Sequence, residues 1–240
     1  KSIKERAIVL KCLIMILLVI LIANERIKAQ EELNVIRGEW LKYSDAPNAL
    51  YHHLTSQAYD LLDSRKEKMD QLQTPDDWRQ RQSEVRNTIW QILGSFDKKT
   101  PLNARITSKV QKSTYRVENI IYESLPDFYV TASLFVPKDI KKPAPGILFC
   151  SGHSTIAYRR EYYQLPLLNL VEKGFVVLAI DPIGQGERFQ YYNSITGRSM
   201  IGGSTKEHSY PSAQVFLNGE SIARYFLWDG IRGIDYLTGR

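Results

Sequence analysis

The sequence predicts an α/β fold in which an antiparallel hairpin leads into a parallel sheet with flanking helices, preceded by a helical extension. Three observations carry this. FYVTASLFVP (128–137) alternates strictly, with Phe128, Val130, Ala132, Leu134 and Val136 on one face and Tyr129, Thr131 and Ser133 on the other. Period two marks a strand with one covered face. GILFC (146–150) and FVVLAI (175–180) are continuously apolar, as strands covered on both faces read. Residues 31 to about 104 are instead polar and helical in pattern.

Taken in order, KSIKER and the apolar run CLIMILLVILIA (12–23) form a basic segment followed by 12 apolar residues. A membrane span needs roughly 20, so residues 1–29 are expected to be a secretory signal peptide, cleaved near Ala29 or Gln30; the alternative is an uncleaved anchor. Secretion or periplasmic export follows, with the membrane a partner only through this segment. Residues 30–104 form the helical extension. ALYHHLTSQAYDLLDSRKEKM places Leu50, Leu54, Ala58, Leu61 and Leu62 on one face. PDDWRQRQSEVRNTIWQILGSF carries Trp78, Val85, Ile89, Ile92 and Leu93, starting after Thr74–Pro75 and stopping at Gly94. Both helices are expected to pack on the main domain.

YRVENIIYES is the expected hairpin partner of FYVTASLFVP, with Leu125–Pro126–Asp127 as the turn. YYQLPLLNLVEKG then supplies a short helix between the two apolar runs, with Pro166 in its first turn and Gly174 just past its end. Strand, helix, strand in that order implies a right-handed βαβ unit. Residues 182–218 read as a long loop containing Phe189, Tyr191, Tyr192, His208 and five glycines, and loops of that length are uncommon unless functional. NGESIARYFLWDGIRGIDYLTGR reads as a helix capped by Asn218, lined by Ile222, Phe226, Leu227, Ile231, Ile234 and Leu237. Gly230 and Gly233 imply close packing against the sheet, and Asp229, Arg232 and Asp235 read as a surface ion-pair row.

The formal net charge is +6, of which residues 1–30 hold +4. The remainder is close to neutral, so no nucleic-acid surface is expected. Cys12 lies in the export segment, leaving Cys150, which is expected to be a small buried filler. His52 and His53 are adjacent and diverge by ~100° on a helix, so they do not chelate one ion. No metal-ligand spacing and no phosphate-binding glycine loop is present, and no cofactor is expected.

Ligands of an open α/β sheet sit beyond the carboxyl ends of the parallel strands. Two loops occupy that rim, Ser151–Gly152–His153–Ser154 and Asp181–Arg188. The first can turn main-chain N–H groups toward substrate, or Gly152 can simply make a tight turn. Asp181 is expected to fix the Gly184–Gln185–Gly186 turn, and Arg188 to pair with Asp181 or Glu187 or to meet substrate. His208 is placed near the pocket mouth.

The order of hairpin, SGHS loop, helix, GFVVLAIDPIGQGER, long loop and WDGIRGIDYL resembles the α/β-hydrolases. It is similar in particular to the secreted acetyl-xylan-esterase-like branch and to dienelactone hydrolases. The resemblance covers residues 105–240 and implies the N-terminal half of that fold. It implies His153 N–H, reached through Gly152, as an oxyanion-hole donor, where relatives carry His-Gly and this chain has Ser151–Gly152. It implies Gln185 as a buttress of the active-site region. The family's nucleophile sits in a G-x-S-x-G elbow, and no serine here fits: after Gly152–His153–Ser154, Ile156 stands where the last glycine should be. The Ser-His-Asp triad is therefore expected beyond Arg240, and residues 105–240 are read as a hydrolase domain cut before the elbow and inactive alone. Implied is a secreted esterase of small-molecule or polysaccharide esters; a peptidase of the same fold and a non-catalytic binding protein stay open.

Overall fold

The computed structural model describes residues 11, 13–19, 33, 35, 45–96, 98–140 and 143–240. The expected export segment and its expected cleavage position lie outside them, apart from 11 and 13–19, which are helical. No helix among the described residues is long and apolar enough to cross a membrane. The chain separates into two compact units, Lys1–Trp78 and Arg79–Arg240.

Helix α1 is Ala49–Asp70 and α2 is Pro75–Leu93. Thr74 Oγ1 accepts from Asp77 N–H at 3.2 Å and Asp77 Oδ2 accepts from Thr74 N–H at 2.8 Å. This reciprocal box satisfies N–H groups that the first helical turn leaves open. α1 buries none of its side chains, so its leucine face lies open. α2 buries only Leu93. Its end is carried onward by rings: Trp90 meets Phe96 edge-on and Phe96 stacks on Trp228 at 5.5 Å.

Five strands follow: β1 Arg105–Gln111, β2 Tyr115–Leu125, β3 Phe128–Pro137, β4 Gly146–Cys150 and β5 Val176–Ile180. The hairpin forms at Pro126–Asp127, with Asp127 at φ +58°, a conformation its short polar side chain tolerates. The sheet order is β1-β2-β3-β5-β4. β5 pairs antiparallel with β3 (Leu178 opposite Leu134) and parallel with β4 (Leu178 opposite Leu148). The expected crossover is present: α3, Glu161–Glu172, links β4 to β5, and Gly174 follows at φ +91°. The helix starts before Tyr162, placing Pro166 in its second turn rather than its first.

Both sheet faces are covered. On one, Ile120, Tyr122, Val130, Ala132, Leu134, Val136, Leu178 and Ile180 pack with Tyr236 of the last helix. On the other, Val117, Phe135, Val177 and Ala179 pack with Tyr158, Leu167 and Val171. Two expectations about burial are thereby exchanged. β3 is central and covered on both faces from Ala132 onward, not half-buried. β4 is an edge strand among the described residues and only partly covered, with Cys150 exposed instead of buried.

The expected long loop contains a short ribbon, β6 Tyr192–Asn193 with β7 Arg198–Ser199, and a helix, α4 Ser204–Leu217. Gly202–Gly203 before it, Pro211 within it and the absence of an apolar stripe concealed this helix. The last helix, α5 Ile222–Thr238, is capped by Ser221, whose side chain accepts from Ala223 N–H, and not by Asn218. Its buried face is Trp228, Asp229, Arg232, Gly233 and Tyr236, while Leu227 and Ile234 are exposed. The proposed surface row is thus corrected: two of its three charges are buried. Gly233 does lie against the sheet, since a Cβ there would meet Tyr122 Oη at 3.0 Å and Leu148 at 3.3 Å.

An unpaired apolar edge invites strand addition by another chain. Residues 31–240 expressed alone are expected to self-associate through β4 and elute as soluble aggregate or precipitate. A monodisperse monomer by light scattering would contradict this.

Candidate active site

β4 and β5 run parallel, so their carboxyl ends open on the same rim. A cavity of about 290 Å³ lies there, lined by Ser151, Gly152 and His153 after β4, Gln185 after β5, His208 of α4 and Asp229 of α5. Two of the loops expected at this rim thus meet, and Gly152 is exposed on it.

Side chains from other elements hold the first loop. The Tyr163 hydroxyl of α3 lies 2.4 Å from where a Cβ on Gly152 would stand, so a larger residue there would push the end of the tyrosine aside. Ser154 N–H donates to Gln185 Oε1 at 2.6 Å, and Gly186 N–H donates to Thr155 carbonyl at 3.1 Å. The two loops are therefore stitched together. Between these anchors the His153 main-chain N–H meets no acceptor among the described residues. Ser154 is buried, and its hydroxyl accepts from Ile156 N–H at 3.3 Å, a local turn contact with no nucleophilic geometry.

The second loop is organised by its first residue. Asp181 is fully buried and accepts from Thr131 Oγ1 at 2.7 Å, Arg159 Nη1 at 2.6 Å and Glu187 N–H at 3.2 Å. Gly186 takes φ +60°, and a Cβ there would fall 2.1 Å from Asp181 Oδ1. The carboxylate and the glycine therefore specify each other, as expected for a turn-fixing aspartate. Arg188 is not paired with the Asp181 carboxylate or with Glu187. Its Nη1 donates to Asp181 carbonyl at 3.0 Å and to Asp229 Oδ2 at 2.7 Å. Arg188 is 6% exposed and Asp229 2%, so this guanidinium holds the site together from beneath and is not open to substrate. Asp229 Oδ1 finds no partner among the described residues.

His208 lies on α4, where a loop was expected. Its Nδ1 is 3.0 Å from His153 Nε2 and its Nε2 is 2.8 Å from Ile183 carbonyl. Burial is the main cause holding its pKa below the ordinary histidine value, with the neighbouring His153 adding to it. Next to it, Glu207 is buried, and its carboxylate accepts from Gln190 N–H at 2.7 Å and Tyr191 N–H at 3.4 Å, tying the connection after Arg188 to α4. Cys150 borders the cavity, but desolvation raises its thiol pKa, opposite to the shift a thiolate nucleophile needs. Among the described residues no group of three or more His, Cys, Asp or Glu could hold a metal ion.

This architecture has known relatives. The Abhydrolase family model matches residues 53–199, more than half of the chain. The chain belongs to the Abhydrolase family. Among solved structures it is similar to a candidate acetyl xylan esterase from Bacteroides fragilis, at 19% identity and TM-score 0.53, covering 70% of this chain and 45% of that one. It also matches a methylesterase at 25% identity and TM-score 0.42, covering 66% of this chain and 31% of that one. A further match is an acetyl xylan esterase from Paenibacillus sp. R4, at 18% and 0.39, covering 64% and 52%. The chain thus spans about half the length of these proteins, or less. The first likeness shows the fold: an Abhydrolase-family sheet with flanking helices. No curated protein matches the chain significantly.

Within that family frame, the structure brings Gly152, His153, Gln185 and His208 together around one cavity and sets Arg188 below it. Sequence reasoning missed Tyr163, Glu207 and the site role of Asp229. The signal for Asp229 was present in its spacing to Arg232, but the spacing alone does not say which helix face the sheet covers.

Breaking a buried ion pair leaves an unpaired charge, at about 3–5 kcal/mol, while replacing both partners by apolar groups costs far less. Arg188→Met is therefore expected to lose several kcal/mol in urea unfolding of the intact protein. The double change Arg188→Met with Asp229→Leu should recover a large part of that loss; additive losses would show that the pair is not the coupled unit described here.

Proposed function

We propose that this chain supplies the oxyanion side of an exported ester hydrolase acting on carbohydrate esters, of the acetylated-polysaccharide kind. Its Ser-His-Asp triad would be carried outside these 240 residues. The observation that carries the reading is the His153 N–H. The next N–H in the loop, that of Ser154, is taken by Gln185, while the His153 N–H meets no acceptor among the described residues and stands at the carboxyl rim of two parallel strands beside a cavity. An N–H fixed in that way costs no reorganisation when negative charge develops on a carbonyl oxygen, which is what makes such a donor effective. The substrate class is supported by the fold likeness to a candidate acetyl xylan esterase, and the exported location by the basic and apolar start of the sequence.

With the N–H as donor, the chain's own residues have defined tasks. Gly152 lets the backbone approach the substrate, Tyr163 and Gln185 hold the loop on either side, and His153 N–H meets the oxyanion. The cavity admits the ester beside them. The triad serine would attack the carbonyl carbon as its proton passes to the triad histidine, with the carbonyl π electrons moving onto the oxygen that His153 N–H would bind; their return would break the ester C–O bond and expel the alcohol, protonated by that histidine, leaving the acyl group on the serine.

The test separates the main-chain donor from the side chain. In the intact protein, His153→Pro removes the N–H and His153→Ala keeps it. Hydrolysis of p-nitrophenyl acetate and of acetylated xylan should fall by about 100- to 1,000-fold in kcat for the proline variant, the loss typical of one oxyanion donor. The alanine variant should lose much less. Equal losses would reject the N–H as the donor, and no hydrolysis of any ester by the wild-type protein would favour the binding-protein alternative.

A further inference from the structure

The ring contact between His153 and His208 fixes more than distance. Ile183 carbonyl only accepts, so His208 carries its proton on Nε2 and donates at 2.8 Å. Neutral His208 then has its lone pair on Nδ1, and the 3.0 Å contact requires His153 to donate from Nε2. His153 is thereby held as the Nε2–H form, with Nδ1 left as the acceptor. The chain of donors runs in one direction, from the oxyanion loop through α4 to the turn after β5.

We propose that His208 is a positioning residue for the oxyanion loop, acting through His153 as a proton-dependent clamp; the part concerning catalysis rests on the ester-hydrolase reading above. Three elements close on the loop: Tyr163 of α3 over Gly152, Gln185 on Ser154, and His208 of α4 on His153. Of the three, the last contact depends on the protonation state of His208. A proton taken by His208 goes to its Nδ1, removes the acceptor and sets two N–H groups against each other.

The groups around the pair are accounted for. The Phe226 ring of α5 meets His208 edge-on at 5.1 Å, and Asp229 of the same helix lines the cavity while bound to Arg188. Glu207 on α4 is engaged with Gln190 and Tyr191 main-chain N–H groups. The Cys150 thiol borders the cavity from β4 and stays protonated. Among the described residues no carboxylate accepts from either ring. The His208 pKa lies below the ordinary value, chiefly through burial. The clamp is therefore closed above this lowered His208 pKa and opens as pH falls through it.

Ring-¹⁵N histidine labelling of the intact protein tests the geometry directly. At pH 8, His208 should show a protonated Nε2 and a lone-pair Nδ1, and His153 a protonated Nε2. A protonated Nδ1 on neutral His208 would overturn the proposal. The catalytic consequence is read from ester hydrolysis against pH. His208→Gln supplies an amide N–H for Ile183 and a carbonyl for His153 without titrating. It should keep kcat within about twofold at pH 8 and lose one ionisation from the acid limb. His208→Phe should lower kcat about tenfold with KM within twofold, the mark of a misplaced group rather than weaker binding. An unchanged acid limb in His208→Gln, or equal behaviour of the two variants, would overturn it. If the intact protein hydrolyses no ester while the tautomers are as stated, the ester reading fails and the clamp stands.

Discussion

The buried contact between Arg188 and Asp229 is the constraint on which the site's geometry depends. It joins the end of the second rim loop to the middle of α5, and the same Nη1 also donates to Asp181 carbonyl, the last residue before that loop turns. Two charges at this depth are costly unless paired and hydrogen-bonded. The pairing therefore fixes how α5 lies on the sheet: with Asp229 facing inward, Trp228, Arg232, Gly233 and Tyr236 must also face inward. Tyr122 Oη donating to Asp229 carbonyl at 2.9 Å and Trp228 Nε1 donating to Ser124 carbonyl at 2.8 Å complete the seat. Rotating the helix by one residue to bury the more apolar Leu227–Ile234 stripe would expose the partner Arg188 needs.

Further directional bonds hold the rim loops in place. Asp181 draws in Thr131 from β3 and Arg159 from the segment before α3, while Gln185 reaches across to Ser154. Each bond crosses between elements, so the loop after β4 inherits the order of the sheet and of two helices. A short polar loop on a partly covered edge strand would otherwise have little to pack against. The acceptors come from outside it, which is why a main-chain N–H within it can stay unpaired at low cost in order.

The fold was legible where side-chain periodicity and burial agree. FYVTASLFVP, GILFC and FVVLAI fall on β3, β4 and β5, and the helix between the last two sits where YYQLPLLNLVEKG placed it. Periodicity alone does not tell which strand is central, because the chain order β3, β4, β5 becomes the spatial order β3-β5-β4. That inversion is why β3 proved buried on both faces and Cys150 exposed. α4 was hidden because its buried residues, Ser204 and Glu207, are polar and Pro211 interrupts it. Of the site, Gly152, His153 and Gln185 were readable as loop residues at a strand end, since turn chemistry is local. Tyr163 and Asp229 were not, because their roles arise from packing between elements far apart in the chain.

Polar burial, rather than apolar patterning, thus decides how the helices are turned toward this site. α5 presents an apolar stripe and buries a different face because one carboxylate has a guanidinium waiting beneath it. α4 has almost no apolar stripe and docks through a buried glutamate bound to two main-chain N–H groups and a histidine bound to a carbonyl. Hydrophobic burial is nondirectional and tolerates sliding, whereas these bonds hold only over a few tenths of an ångström. The proposed acyl-transfer role needs its donor placed to that tolerance. The elements bordering the cavity are those that dock by directional bonds, while the apolar clusters, which only need to exclude water, occupy the two faces of the sheet behind it.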